Sequence, residues 1–131
     1  MSPNSIEISG DVTRYGALHQ GWYLTIPDHE GPQSAFLAGR VSGHGMLDAI
    51  RATKNAGKSL GIPNANQAQS ALLGYSGGAQ ATGWAAQLSS TYAPELDIVG
   101  WVAGGLPANI TENFSYLDGT IQVSDCCGRA D

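Results

Sequence analysis

The stretch Leu72-Leu73-Gly74-Tyr75-Ser76-Gly77-Gly78-Ala79 decides the reading of this chain. An apolar run enters it, a Gly-x-Ser-x-Gly core sits in the middle and a small-residue segment leaves it. The pattern predicts a strand, a sharp turn and a helix, the arrangement of a nucleophile elbow. Such a turn cramps the serine backbone, so the neighbours of Ser76 must be small. Gly74 and Gly78 are expected to let strand and helix approach closely, because neither has a Cβ. The helix begins beside Ser76, so its unpaired N–H groups and positive dipole end face the serine. The Gly77 N–H is then a candidate donor to an oxyanion. The bare motif is weak in a chain with 18 glycines, and an ordinary glycine-rich turn is the alternative. Its context strengthens it: Gln69 to Leu73 reads as a buried strand and Gly77 to Tyr92 as a helix.

Outward from the elbow, the chain alternates. Trp22 to Ile26 is aromatic and β-branched, the composition of a strand, and Pro27 stops it. Asp97 to Ala103 is a continuous apolar run, as in a parallel sheet covered on both faces. Met46 to Ala56 reads as a helix, with Met46, Leu47 and Ile50 on one face, Asp48 and Arg51 able to pair on another, and Gly57 as its stop. A short helix is expected over Arg14 to Gln20, ended by Gly21. Residues 1–12 show no period, Gln33 to Gly45 reads as a glycine-rich loop with one helical turn, and the tail from Thr111 is polar. The order strand, helix, strand, helix, strand predicts an α/β fold with a parallel three-stranded unit and right-handed crossovers. Asp28 and Ser76 then land on the same sheet edge, outside the carboxyl ends of their strands.

At 131 residues, with 42% hydrophobic and 13% charged residues, the chain suits one globular domain. Net charge is −5 and no basic cluster exists, so nucleic acid is not an expected partner. No apolar run is long enough for a membrane span, and the start carries no secretory leader. Cys126 and Cys127 are adjacent, so a bridge between them would be strained, and two thiols do not complete a zinc site; they read as free thiols. No metal or cofactor is expected. Asn109-Ile110-Thr111 and Asn113-Phe114-Ser115 form glycosylation triplets, relevant only in a secreted protein.

A serine nucleophile needs a base and a group that orients the base. Acids follow Ser76, but all three histidines (His19, His29 and His44) precede it. In the Ser, Asp/Glu, His order of α/β-hydrolases the triad is therefore not completed within these residues. His29 is the best internal substitute, because its loop shares an edge with Ser76; a loop-shaping or solvent-facing role is the plainer alternative. His44 lies between two glycines at a helix start, and His19 reads as a surface residue. The loop Asp28-His29-Glu30-Gly31 fits a second oxyanion donor, with the Asp28 N–H aimed at the site and its carboxylate holding the loop. A solvated acidic loop fits the same residues.

Several blocks then resemble one family. Trp22-Tyr23, Pro27-Asp28-His29-Glu30-Gly31-Pro32, Ala35-Phe36-Leu37-Ala38-Gly39-Arg40, the run from Gly74 to Ala86, Tyr92-Ala93-Pro94-Glu95-Leu96 and Gly104-Gly105-Leu106-Pro107 are similar, in order, to the fungal secretory lipases. The resemblance runs from about Ala17 to about Thr120. It implies a secreted α/β-hydrolase, acting at a lipid–water interface on triacylglycerols and other carboxylic esters. Ser76 matches the nucleophile, and Gly77 and Asp28 match the oxyanion donors. The family's acid and histidine lie further along, as does most of its lid. Residues 1–120 are thus expected to form an incomplete, partial α/β-hydrolase domain, and 121–131 a tail unlike the family. The chain reads as the front part of a longer lipase, with little or no turnover of its own. A non-catalytic product that binds lipid or a partner, and a peptidase or acyltransferase of the same fold, are the other readings.

Overall fold

A computed structural model of the chain describes residues 8–118. The elements, in order, are α1 (Ile8–His19), α2 (Gly39–Asn55), a 3₁₀ turn (Ala65–Gln67), β1 (Ser70–Tyr75), α3 (Gly77–Tyr92), β2 (Ile98–Gly104) and α4 (Ile110–Leu117). The expected tail, 121–131, with its paired cysteines, lies outside the described residues.

β1 and β2 pair in parallel, from Ser70 against Ile98 to Tyr75 against Gly104, with one irregularity between Ser70 and Ala71. α3 is the crossover between them, and the β-α-β unit matches the expectation for the elbow. Leu72 points into the helical side, where it meets Leu47 of α2, Ala85 of α3 and Ala93. Met46, Ile50, Leu88, Leu96, Ile98 and Trp101 close around this core. α2 packs along α3, and glycines make the approach possible. A Cβ at Gly43 would lie 2.9 Å from the backbone carbon of Trp84, and one at Gly39 would run into the Trp84 indole.

Three expectations are corrected. The sheet of the described residues has two strands, because Trp22 to Ile26 joins no ladder. Its composition suits a strand, but a strand also needs a neighbour for its N–H and C=O groups. A hydroxyl contact ties this segment to α2, Thr25 Oγ1 to Thr53 Oγ1 at 2.7 Å. Second, the sheet is covered on one face only. Leu73, Tyr75, Val99 and Val102 project from the other face and are more than half exposed. Third, α2 begins at Gly39, well inside the expected loop, and α1 begins at Ile8. Glycine's poor helix propensity hid the first two turns of α2, which tertiary packing on Trp84 stabilises. The polar tail carries a helix over its described residues: α4 opens with the Asn109 Oδ1 accepting from the Glu112 N–H at 3.2 Å. Gly57 follows α2 as its expected stop, without a left-handed backbone; a Cβ there would overlap the Ala65 side chain. Gly21, expected to end the first helix, takes a left-handed turn just after α1, with φ +77°.

Asp48 and Arg51 pair as expected, at 2.9 Å, within a larger network. The Arg51 Nε donates to Glu95 Oε1 at 2.6 Å, its Nη2 to the Tyr92 carbonyl, and its guanidinium lies 4.7 Å over the Tyr92 ring. The Tyr92 hydroxyl donates to Asp48 at 2.9 Å. This network fastens the far end of α2 to the far end of α3. The Glu95 carboxyl is held below its usual range, first by the Arg51 hydrogen bond and then by a backbone one. The Tyr92 phenol is pushed up, chiefly by its bond to Asp48 and then by desolvation.

Candidate active site

Ser76 stands between β1 and α3, with φ +54° and ψ −118°. A side chain at positive φ in this extended region is strained by about 1–3 kcal/mol. The strain is held by the flanking elements. The Ser76 N–H donates to the Gly104 carbonyl at 2.9 Å, continuing the ladder, while its own carbonyl accepts from Ala79 at 2.9 Å and Gln80 at 3.1 Å. The chain therefore reverses in one residue, and Ser76 is exposed at the carboxyl end of the sheet.

The two glycines beside the serine differ in role. A Cβ at Gly74 would overlap the Gly78 carbonyl and lie 2.6 Å from the Thr82 Oγ1, so strand and helix touch there. A Cβ at Gly78 would meet nothing within 4 Å, so Gly78 contributes its backbone to this contact and needs no absent side chain. Gly77 is the first residue of α3, where an N–H has no intrahelical acceptor. That donor, at the positive end of a sixteen-residue helix, stands next to Ser76. Gly104 and Gly105 have a second function that the sequence did not reveal: a Cβ on either would lie about 3 Å from the Tyr75 ring, which occupies that space beside the elbow.

The loop from Asp28 reaches the elbow through Leu37. The Asp28 carboxylate accepts from the Gly31 N–H at 3.3 Å, so the side chain does hold its own loop. Further turns carry the loop forward: Ala35 N–H to Glu30, Ser34 N–H to Gly31 and Ala38 N–H to Ala35. Ser34 and Leu37 both have positive φ, +47° and +55°. The Leu37 carbonyl then accepts from the Gln80 side chain at 3.0 Å, and its methyl group would lie 3.9 Å from a Cβ at Gly77. Leu37 reads from the sequence as an anchor of its loop, but its bond to Gln80 was missed. The only signal for Gln80 is a buried-type position occupied by a polar residue on a helix of small apolar ones.

The His44 ring lies 4.1 Å from the Tyr92 ring, at 36°. Tyr92 is the last residue of α3 and Gly77 the first, a rise of about 24 Å, so His44 cannot reach Ser76. His19 ends α1 and is exposed. His29 packs its backbone against α2 at Gly45, and its Nδ1 is buried without a partner. Among the described residues no three His, Cys, Asp or Glu side chains converge on a metal position. No described helix is long and apolar enough to cross a membrane.

A serine strained on a strand-to-helix elbow, at the carboxyl end of a parallel sheet, defines the α/β-hydrolase class. The model of the secretory lipase family matches residues 5–124, and the chain belongs to that family. It is 55% identical over 103 residues to a secreted triacylglycerol lipase of Malassezia furfur, covering 79% of this chain and 21% of that protein. A secreted triacylglycerol lipase of Malassezia globosa is 46% identical over 123 residues, covering 92% and 25%. The crystal structure of Candida antarctica lipase A in its closed state superposes with a TM-score of 0.71 at 45% identity, over 82% of this chain and 24% of that one. The chain spans about a fifth to a quarter of the length of these relatives.

Proposed function

We propose that these residues are the nucleophile-bearing part of a secreted serine lipase that hydrolyses triacylglycerols. The observation that carries the reading is the backbone of Ser76, φ +54° and ψ −118°, at the β1–α3 junction. A serine held at that cost, with a free helix N–H beside it, is poised for attack on an ester carbonyl. In the proposed mechanism the Ser76 Oγ forms the bond to the acyl carbon as its proton passes to a histidine base. The N–H groups of Gly77 and Asp28 stabilise the resulting oxyanion, each contributing about 10²–10³ in rate. The alcohol leaves with the proton, and water then releases the fatty acid from the acyl-enzyme. The base and its orienting acid belong to the part of the family's length that these 131 residues do not span. Secretion and the triacylglycerol substrate rest on the relatives' names.

The test is hydrolysis of tributyrin by the full-length secreted enzyme, beside Ser76→Ala. The expected result is loss of nearly all turnover in the variant at unchanged secretion. Equal rates in the two proteins would overturn the assignment of Ser76.

A further inference from the structure

We infer that Gln80 is a positioning residue that fixes the spacing between the two halves of the oxyanion site; this rests on the lipase reading above. Gln80 touches both halves. Its backbone N–H donates to the Ser76 carbonyl at 3.1 Å, and its side-chain Nε2 donates to the Leu37 carbonyl at 3.0 Å. The first bond belongs to the elbow, which carries Gly77. The second ends the hydrogen-bonded loop that begins at Asp28.

Burial makes this bond consequential. Gln80 is 5% exposed on a helix whose other buried residues are three alanines and Thr82. An amide in such a place is costly unless it is bonded, and half of it is not: the Oε1 has no partner. An apolar side chain of the same shape would remove that cost, so stability alone does not explain a glutamine here. What the amide supplies is a donor to a carbonyl 43 residues away. That carbonyl belongs to Leu37, one of two non-glycine residues of the loop in the left-handed region. A backbone in that region relaxes unless something external holds it. The internal turns between Asp28 and Ala38 make the loop a connected unit, so releasing Leu37 loosens the whole segment from the first turn of α3. His29 against Gly45 packs the loop on α2. Gln80 ties it by a side-chain hydrogen bond to the helix beginning at the nucleophile.

The experiment uses the full-length secreted enzyme and compares wild type, Gln80→Met and Gln80→Glu on tributyrin, with thermal melts. Gln80→Met keeps the length and loses the donor. The expected result is a fall in kcat of about 10–100-fold, as for a misplaced catalytic group, with KM within about twofold and Tm unchanged or raised. Gln80→Glu donates only when protonated, so its rate relative to wild type should rise as pH falls through the titration of the new carboxyl. A purely structural residue would lower Tm and leave that ratio flat. An unchanged kcat in Gln80→Met overturns the inference. If Gln80→Met fails to fold, the Gln80→Glu ratio decides alone: a rising ratio supports the inference and a flat one overturns it. A wild-type enzyme without Ser76-dependent turnover would instead sink the lipase reading itself.

Discussion

At the scale of single residues, two positions around the elbow carry opposite predictions. Ser76 has a Cβ where the backbone favours none. Replacing it with alanine removes the hydroxyl but keeps the strain; glycine removes both. Ser76→Gly should therefore be more stable than Ser76→Ala, by about 1 kcal/mol once glycine's greater unfolded-state freedom is set against the relief. Denaturant unfolding of the two variants checks this, and equal midpoints would show that the elbow is unstrained. Gly74 is the reverse case. A methyl there overlaps the Gly78 carbonyl and crowds the Thr82 Oγ1, and backbone cannot step aside as a side-chain tip can. Gly74→Ala should cost about 2–3 kcal/mol or more by overpacking, and should displace Ser76. Gly78→Ala, with open space at its Cβ, should cost little and serves as the control. The motif made both glycines look alike, because a sequence gives spacing and not the direction in which each Cα faces.

At the scale of elements, legibility follows how local the cause is. β1, α3 and β2 were readable to within a residue or two, since apolar runs and small-residue helices carry their own pattern. Trp22 to Ile26 was not, because strand identity depends on a partner that no local pattern supplies. The start of α2 was hidden by Gly39, Gly43 and Gly45, which oppose a helix locally; the first two are needed for contact with Trp84. α4 was legible in principle: Asn109 followed three residues later by Glu112 is an N-terminal capping signature. Asn109→Ala should lower the stability of α4 by about 1 kcal/mol, read as faster hydrogen exchange in residues 110–117. The network at the far end of α3 adds a pH dependence. Glu95 has a lowered native value, so its contribution is full above the ordinary value and is lost as pH falls through the native one. Tyr92 has a raised value, so its contribution is present below its ordinary range and is lost as pH rises through the native one. Thermal melts between pH 3 and 7 should show a smaller acid loss in Glu95→Gln than in wild type; parallel curves would remove Glu95 as a cause.

At the scale of the molecule, the two faces of the sheet part company. The face toward α2 and α3 holds the core, while the other presents Leu73, Tyr75, Val99 and Val102 to solvent. Apolar side chains on a continuous two-stranded surface, with open ladder edges, are a site for self-association. The 131-residue polypeptide by itself should therefore bind a hydrophobic dye such as ANS and scatter light at micromolar concentration. Lysines at Val99 and Val102 should reduce both signals, because like charges on one face repel and carry water with them. In a lipase of the family's full length the same face is expected to be covered. There the double substitution would bury two unpaired charges, cost roughly 3 kcal/mol or more, and lower the yield of secreted enzyme. The opposite signs make the pair of measurements diagnostic. If the lysines improve the short polypeptide and harm the long enzyme, this face is an interior surface of the complete fold. If they leave the long enzyme's Tm and yield untouched, the face stays exposed there and the sheet is complete with one bare side.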